Sequence, residues 1–395
     1  MSTTAKAHGM NGTLVEADWP PLALDEVRNL LGAFSSCGEP IEILSVSPRP
    51  FSAASVVAVR GGKIFIKRHH HDVRDAEGLR EEHRFMAHLR AHGAPVPRVY
   101  ADASGETAIV RGKWSYEVHE APAGVDIYED ALSWTPFRSV AHARSAGVAL
   151  ARLHLASQGF DAPMRRPRSL VASFTIYSDD DPSAAMRRYL DARPALRDDM
   201  ETLQACDEAL ELLEPFHAEL KPHLRALAPL WTHNDFHASN LLWSNASDAA
   251  RACVVIDFGL ADRTNAVYDL AQAIERNIVE WLALTRGRED MQNIPVHLEH
   301  LYALLAGYES VRPLTEQEAA ALAPMTALCH AEFALSEAEY FLGVLGSEEK
   351  TRVATTDYLV GHARWFRGAG GKRLLDDLRT WGNERRKRQK RAAQL

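Results

Sequence analysis

The run Trp231-Thr232-His233-Asn234-Asp235-Phe236-His237-Ala238-Ser239-Asn240-Leu241-Leu242-Trp243 decides how this chain is read. An aspartate and an asparagine stand five positions apart between apolar flanks. Soon after comes Val254-Val255-Ile256-Asp257-Phe258-Gly259-Leu260, where a buried strand delivers an aspartate to its end and a glycine allows a sharp turn. Moving a phosphoryl group requires such parts. One carboxylate must orient an attacking hydroxyl and accept its proton, and Asp235 is the candidate. An asparagine oxygen and a second carboxylate must hold Mg2+ on nucleotide phosphates, and Asn240 and Asp257 are the candidates.

The rest of the chain bounds this reading. Its 395 residues suggest two or three compact units, or one large bilobal one, at about 150 residues per domain. With 46% hydrophobic and 25% charged residues it can bury a sizeable core, which excludes a mostly disordered protein. A net charge of −8 argues against a general nucleic-acid binder. No apolar run approaches the roughly 18 residues of a membrane span, and Met1 to Trp19 lacks the apolar segment of a signal peptide. Cys37, Cys206, Cys253 and Cys329 are scattered without a CxxC pair and read as reduced thiols. A cytoplasmic protein is expected.

Upstream, apolar residues at helical spacing predict a helix over Leu22–Phe34. The pattern then changes to strands at Ile41–Val46, Ser55–Arg60 and Lys63–Lys67, the last two joined by a tight turn at Gly61-Gly62. A helix follows over Asp72–His92 and stops at Gly93, then strands at Thr107–Arg111 and Ser115–His119. Ala121-Pro122-Ala123-Gly124 breaks the pattern and marks a boundary. Beyond it helices dominate, at Ser139–Ser157, Pro182–Arg193, Arg197–Leu227, Ala266–Thr285, Val296–Tyr308, Glu316–Leu345 and Thr355–Phe366. The expected fold class is α+β, with a small β-rich lobe over 1–120, a helical lobe over 121–383 and a basic tail over 384–395. Residues 1–19 are expected to be loose.

On these residues the chain resembles the aminoglycoside phosphotransferase/choline kinase family, small-molecule kinases with a bilobal protein-kinase-like fold. His233-x-Asp235-x-x-x-x-Asn240 is similar to that family's catalytic loop, Ile256-Asp257-Phe258-Gly259 to its metal loop, and Val267-Tyr268-Asp269-Leu270-Ala271 to the helix whose aspartate braces the catalytic loop. The resemblance implies ATP and Mg2+ as cofactors and a small-molecule hydroxyl as acceptor. Precedents in the family include aminoglycosides, choline, homoserine and other amino alcohols.

A kinase also needs a strand lysine on the phosphates and a helix carboxylate to position it. Strand alternation puts Lys67 and Phe65 on one face, so Lys67 enters the cleft with Phe65 as a wall of the adenine pocket. Glu82 shares the apolar stripe of Leu79, Met86 and Leu89 and is the preferred partner of Lys67; a different helix phase would favour Glu81. No GxGxxG covers the phosphates. The tip Pro48–Ser55 stands in its place, with Ser52 or Ser55 as phosphate donors. The backbone from Glu117 to Glu120, Val118 included, is expected to meet the adenine. His69-His70-His71 alternates faces, makes a poor chelating set and reads as a solvated loop. His154 reads as a hydrogen-bonded packing residue and His233 as a brace, while His237 stays open between packing and phosphate contact. Asp262, Glu332, Glu337 and Glu339 are candidates for an acidic rim that would suit an amine-bearing acceptor.

Two other readings compete. A protein Ser/Thr kinase shares the Asp-Phe-Gly motif, but only Arg263 to Val267 separates the metal loop from the next helix, too little for a peptide platform. A catalytically inactive nucleotide-binding module would keep the fold without turnover. The tail Arg385–Arg391 reads as a solvated helix end.

Overall fold

The computed structural model describes residues 17–47, 50–282 and 293–392. Pro48, Arg49 and the end of the expected helix at Ala283–Thr285 lie outside them, as do residues 1–16. In the N-terminal lobe, α1 (Leu24–Leu31) is followed by β1 (Pro40–Val46), β2 (Ala53–Val59), β3 (Gly62–His70), α2 (Ala76–Ala91), β4 (Ile109–Arg111) and β5 (Trp114–Glu120). The strands form one antiparallel sheet in the order β1-β2-β3-β5-β4. Alternation gives the sheet two different faces. Val57, Val59, Ile64, Ile66 and Val118 pack with Val27 and Leu30 of α1, each buried side chain worth roughly 1.5–3 kcal/mol. Lys67, Glu117 and His119 occupy the opposite face.

The β2–β3 turn is Arg60-Gly61, because Val59 pairs with Gly62; only Gly61 takes a positive φ. The turn therefore sits one residue earlier than the glycine pair suggests. Asp75 caps α2 by accepting from the Gly78 N–H at 2.7 Å. After β5 the chain joins the second lobe at once, where Val125 exchanges backbone hydrogen bonds with Trp243. The start of the described chain is anchored. Trp19 stacks on His70 with ring centres 4.9 Å apart, and Asp18 accepts from Tyr340 and Lys350.

The C-terminal lobe holds α3 (Val140–Ala156), α4 (Pro182–Asp191), α5 (Pro194–Arg197), α6 (Met200–Leu220), β6 (Pro229–Thr232), β7 (Leu241–Trp243), β8 (Ala252–Val255), β9 (Asp262–Asn265) and α7 (Ala266–Ile278). It ends with α8 (Leu298–Glu309), α9 (Glu316–Leu328), α10 (Ala331–Glu339), α11 (Glu348–Arg352), α12 (Gly361–Arg367) and α13 (Ala369–Ala392). The two short ladders, β6–β9 and β7–β8, clamp the loops between them. Every residue of α7 is buried. Helices α3 and α8 touch backbone to backbone: a Cβ on Gly147 would sit 2.0 Å from the Leu304 carbonyl oxygen, and one on Gly307 2.0 Å from that of Arg144.

Two expectations change here. The helices expected over Glu316–Leu345 and Thr355–Phe366 contain π-helical stretches at Tyr340–Val344 and Val353–Val360. Such wide turns gather at functional sites, and both stretches line the cleft. The basic tail is a continuation of α13. Arg385 is buried, donates through Nε to Glu309 at 2.6 Å and bonds the Leu314 carbonyl.

Candidate active site

Strand β6 ends at Thr232, and the chain turns sharply because Asn234 takes φ 58°, a left-handed conformation that asparagine tolerates. Asp269 of α7 fixes the turn. Its carboxylate accepts from the backbone N–H of His233 and of Asn234, both at 2.9 Å, and from His154 Nε2 at 3.0 Å. His233 donates from Nε2 to the Ile256 carbonyl at 2.9 Å and accepts from the Asp235 N–H at Nδ1, tying the two loops together.

This scaffold presents Asp235 to the cleft. Burial pushes its pKa up, but the charge of Arg276, with His237 and His233, holds it well below the usual carboxylate range. Asn240 donates from Nδ2 to the Asp235 carbonyl and carboxylate, both at 2.9 Å, which leaves Oδ1 as the atom free to meet a cation. Ile256 N–H donates to the Asn240 carbonyl at 3.0 Å, bringing Asn240 beside the Asp257 loop. Asp257, not Gly259, takes the left-handed turn, at φ 64°. Lys67 Nζ donates to Asp257 Oδ1 at 2.8 Å. An amide oxygen and a carboxylate are the hard donors that suit Mg2+.

Several N-terminal expectations are corrected. Lys67 bonds Asp257; no hydrogen bond joins it to Glu82 among the described residues. Glu82 is buried, and the nearest cation to it is Arg165, with Nη2 at 3.8 Å. Arg165 reaches in from the segment after α3 and donates to the Gly259, Ala261 and Gly78 carbonyls, so a cation from the other lobe meets this helix. Ser52 lines the cleft. Ser55 does not, because alternation turns it away from Lys67; it is 1% exposed. Val118 lies in the core on that same far face, and its carbonyl accepts from Tyr100 N–H. Glu120 is engaged with Arg98 through both backbone and side chain. Phe65 shares the face of Lys67 and meets His119 edge-on, 6.4 Å between ring centres, outside the cavity. His69 and His70 belong to β3 and are largely covered, not solvated.

Lys67, Ser52, Asp235 and Asp257 line one cavity of about 440 Å³. Three groups around it carried no sequence signal. Arg74 lines it, buried, and donates to the Ser169, Leu170 and Gly259 carbonyls. Arg276 lies beneath Asp235, its guanidinium 4.6 Å from the centre of the Phe333 ring and 5.5 Å from that of Trp134. Trp134, Phe333 and Tyr358 form an aromatic wall. Trp134 (φ 65°) and Leu170 (φ 54°) join Asn234 and Asp257 as the non-glycine residues with positive φ among the described residues. All four stand at this cleft or directly beside Asp235, where strained backbone is characteristic of a working site. Of the expected acidic rim only Glu337 lines the cavity. Asp262 is buried and accepts from Arg165 N–H, Arg263 N–H and Ser173. Glu332 caps Thr175 and Ile176, and Glu339 pairs with Arg193.

This bilobal fold with its cleft between a small sheet and a helical lobe is that of protein-kinase-like phosphotransferases. The phosphotransferase enzyme family matches residues 49–314, and the chain belongs to that family, as an enzyme with an alcohol group as acceptor. The homoserine kinase of Phenylobacterium zucineum strain HLK1 is 28% identical over 300 residues, 75% of this chain and 79% of that protein. The microcompartment-associated aminopropanol kinase shares the fold, with TM-score 0.57 and 16% identity over 88% of this chain and 99% of that one. So does amicoumacin kinase hAmiN, solved with AMP-PNP, Ca2+ and Ami, with TM-score 0.54 and 13% identity over 85% and 94%. No helix among the described residues is long and apolar enough to cross a membrane.

Proposed function

We propose that the chain transfers the γ-phosphoryl group of ATP to the hydroxyl of a small amine-bearing alcohol. The observation that carries this is the meeting of Asp235, Lys67 and Asp257 on one cavity of about 440 Å³. Asp257 and the Asn240 amide oxygen would hold Mg2+, which neutralises charge on the phosphates when bound. Lys67 reaches the phosphates from the roof, and Ser52 sits where it can donate to them. Asp235 aligns the acceptor hydroxyl. The hydroxyl oxygen bonds to the γ-phosphorus as the bond to ADP breaks, and the proton passes to Asp235. A carboxylate held this low is a weak base, so it takes the proton late, and positioning supplies most of the rate.

Asp18, Glu337, Glu349 and Asp357 line the cavity together with Lys67, Arg74 and Lys350. Asp18 is paired with Lys350 and burial raises the pKa of Glu337 to about 8, which leaves Glu349 and Asp357 as the carboxylates that would meet an amine. This favours a cationic acceptor. The volume, shared with nucleotide phosphates, suits an amino alcohol better than an aminoglycoside. Homoserine kinases among the relatives support the same class. The protein-kinase alternative is disfavoured because β9 pairs with β6 and runs directly into α7, leaving no segment to seat a peptide. A coupled assay of ADP release across amino alcohols, hydroxy amino acids, sugars and aminoglycosides tests the reading. Turnover with one amino alcohol supports it. Mg·ATP binding without turnover on any acceptor would favour the inactive module instead.

A further inference from the structure

Behind Lys67, three imidazoles hold a buried carboxylate. Glu117 lies opposite Lys67 in the β3–β5 register and is 1% exposed. His69 Nε2 stands 2.9 Å from its Oε1, while His83 Nε2 and His119 Nε2 stand 2.8 and 2.7 Å from its Oε2. The histidines come from β3, α2 and β5, and His83 Nδ1 meets Thr107 Oγ1 at 2.8 Å.

Three histidines and a glutamate also resemble a metal site, and the distances decide against it. Donors bound at about 2.0–2.1 Å around a tetrahedral ion stand about 3.4 Å apart. Here each nitrogen is in hydrogen-bond contact with the carboxylate. The set is closed on itself, and Glu117 is its common acceptor. Burial pushes this carboxyl up, but His119, His69 and His83 hold it well below the usual carboxylate range.

Glu117 faces a lysine with a difficult requirement. Lys67 is largely buried, and the hydrogen bond that holds its Nζ is the one to Asp257, at 2.8 Å. Once Asp257 serves a cation, its hold on Lys67 weakens. Glu82 is shared with Arg165. Glu117 cannot swing away, because three donors fix it, and directly opposed residues have Cβ atoms about 4.5–5.5 Å apart.

Resting on the kinase reading above, we propose that Glu117 is a positioning residue for Lys67, the fixed buried counter-charge that keeps the ammonium on the phosphates when Asp257 engages the metal. The test is a double-mutant cycle on the full chain, read by Mg·ADP titration calorimetry and by kcat/KM for ATP. Glu117→Gln should weaken both by about tenfold or more, and in a Lys67→Met background it should add less than about twofold. Equal losses in both backgrounds would mean a purely structural network and overturn the proposal. So would zinc retained stoichiometrically by the purified protein and released by His83→Gln. If Glu117→Gln does not fold, His83→Gln keeps the carboxylate, drops one donor and must show the same dependence on Lys67. A parent protein that binds no Mg·ADP would sink the kinase reading and this proposal with it. Binding that ignores Glu117 would sink this proposal alone.

Discussion

Arg276 sets its guanidinium directly on the carboxylate of Asp235. The arginine is fully buried in α7, between the rings of Phe333 and Trp134. One ion pair therefore fixes the proposed acceptor-aligning group and keeps it ionised. Removing one partner of a buried pair costs about 3–5 kcal/mol, and the side chain of Asp235, 15% exposed, can recover a little of this through water in the cleft. Arg276→Met should lower the melting temperature and kcat together while Mg·ADP affinity stays near that of the parent. Arg276→Lys should restore the charge but only part of kcat, since the lysine lacks the planar fork. Full kcat in the methionine variant would detach Arg276 from the chemistry.

Asp235→Asn and Asp257→Ala should separate alignment from metal binding. The first keeps the shape and removes the charge, so phosphoryl transfer should vanish while Mg·ATP still binds. The second deletes a hard oxygen ligand and the hydrogen-bond partner of Lys67, so Mg·ATP affinity should fall and the Mg2+ requirement should rise. Titrating Mg2+ at fixed ATP checks this. An Asp257→Ala protein with the parent's metal dependence would show that Asp257 is not a ligand.

The two loops carrying Asp235, Asn240 and Asp257 were readable because their roles demand fixed residue types at fixed short spacing. The sheet was readable because alternation is local. The same alternation, extended from Lys67, already places Ser55 on the far face; Val118, expected to act through its backbone, has its carbonyl taken by the Tyr100 N–H, a contact that no local pattern announces. Arg74, Trp134, Arg165 and Arg276 could not be read. Each reaches the cleft from an irregular segment or a buried helix face, and its meaning comes from a partner distant in sequence. Glu82 shows the limit from the other side: its burial follows from helix phase, but its neighbour Arg165 arrives from the other lobe.

The chain end offers a paired truncation. Arg385 fills a buried site against Glu309 and Leu314, whereas Arg388 is well exposed. Deleting residues 388–395 should leave stability unchanged. Deleting 384–395 leaves the Glu309 and Leu314 acceptors without their donor and should cost about 1–3 kcal/mol, read by chemical denaturation. Equal stability of the two truncations would mean that Arg385 contributes nothing measurable.

Glu337 gives a pH prediction with a definite sign. Burial raises its pKa from 4.5 to about 8, with Asp235 and Glu275 adding to the rise and Arg276 opposing it. The folded protein thus holds this proton more tightly than the unfolded chain does. That contribution to stability is complete below the unfolded value and is lost as pH climbs through about 8. Glu337→Gln mimics the protonated acid at every pH and has no such loss. Glu275, raised by burial to about 7, shifts stability in the same direction but is present in both proteins and largely cancels in the comparison. The melting temperatures of parent and variant should therefore lie close at pH 5 and separate as pH rises, with the variant a few degrees higher at pH 9. Parallel profiles from pH 5 to 9 would show that Glu337 titrates as an ordinary carboxylate and that the cavity beside Asp235 is wetter than its geometry implies.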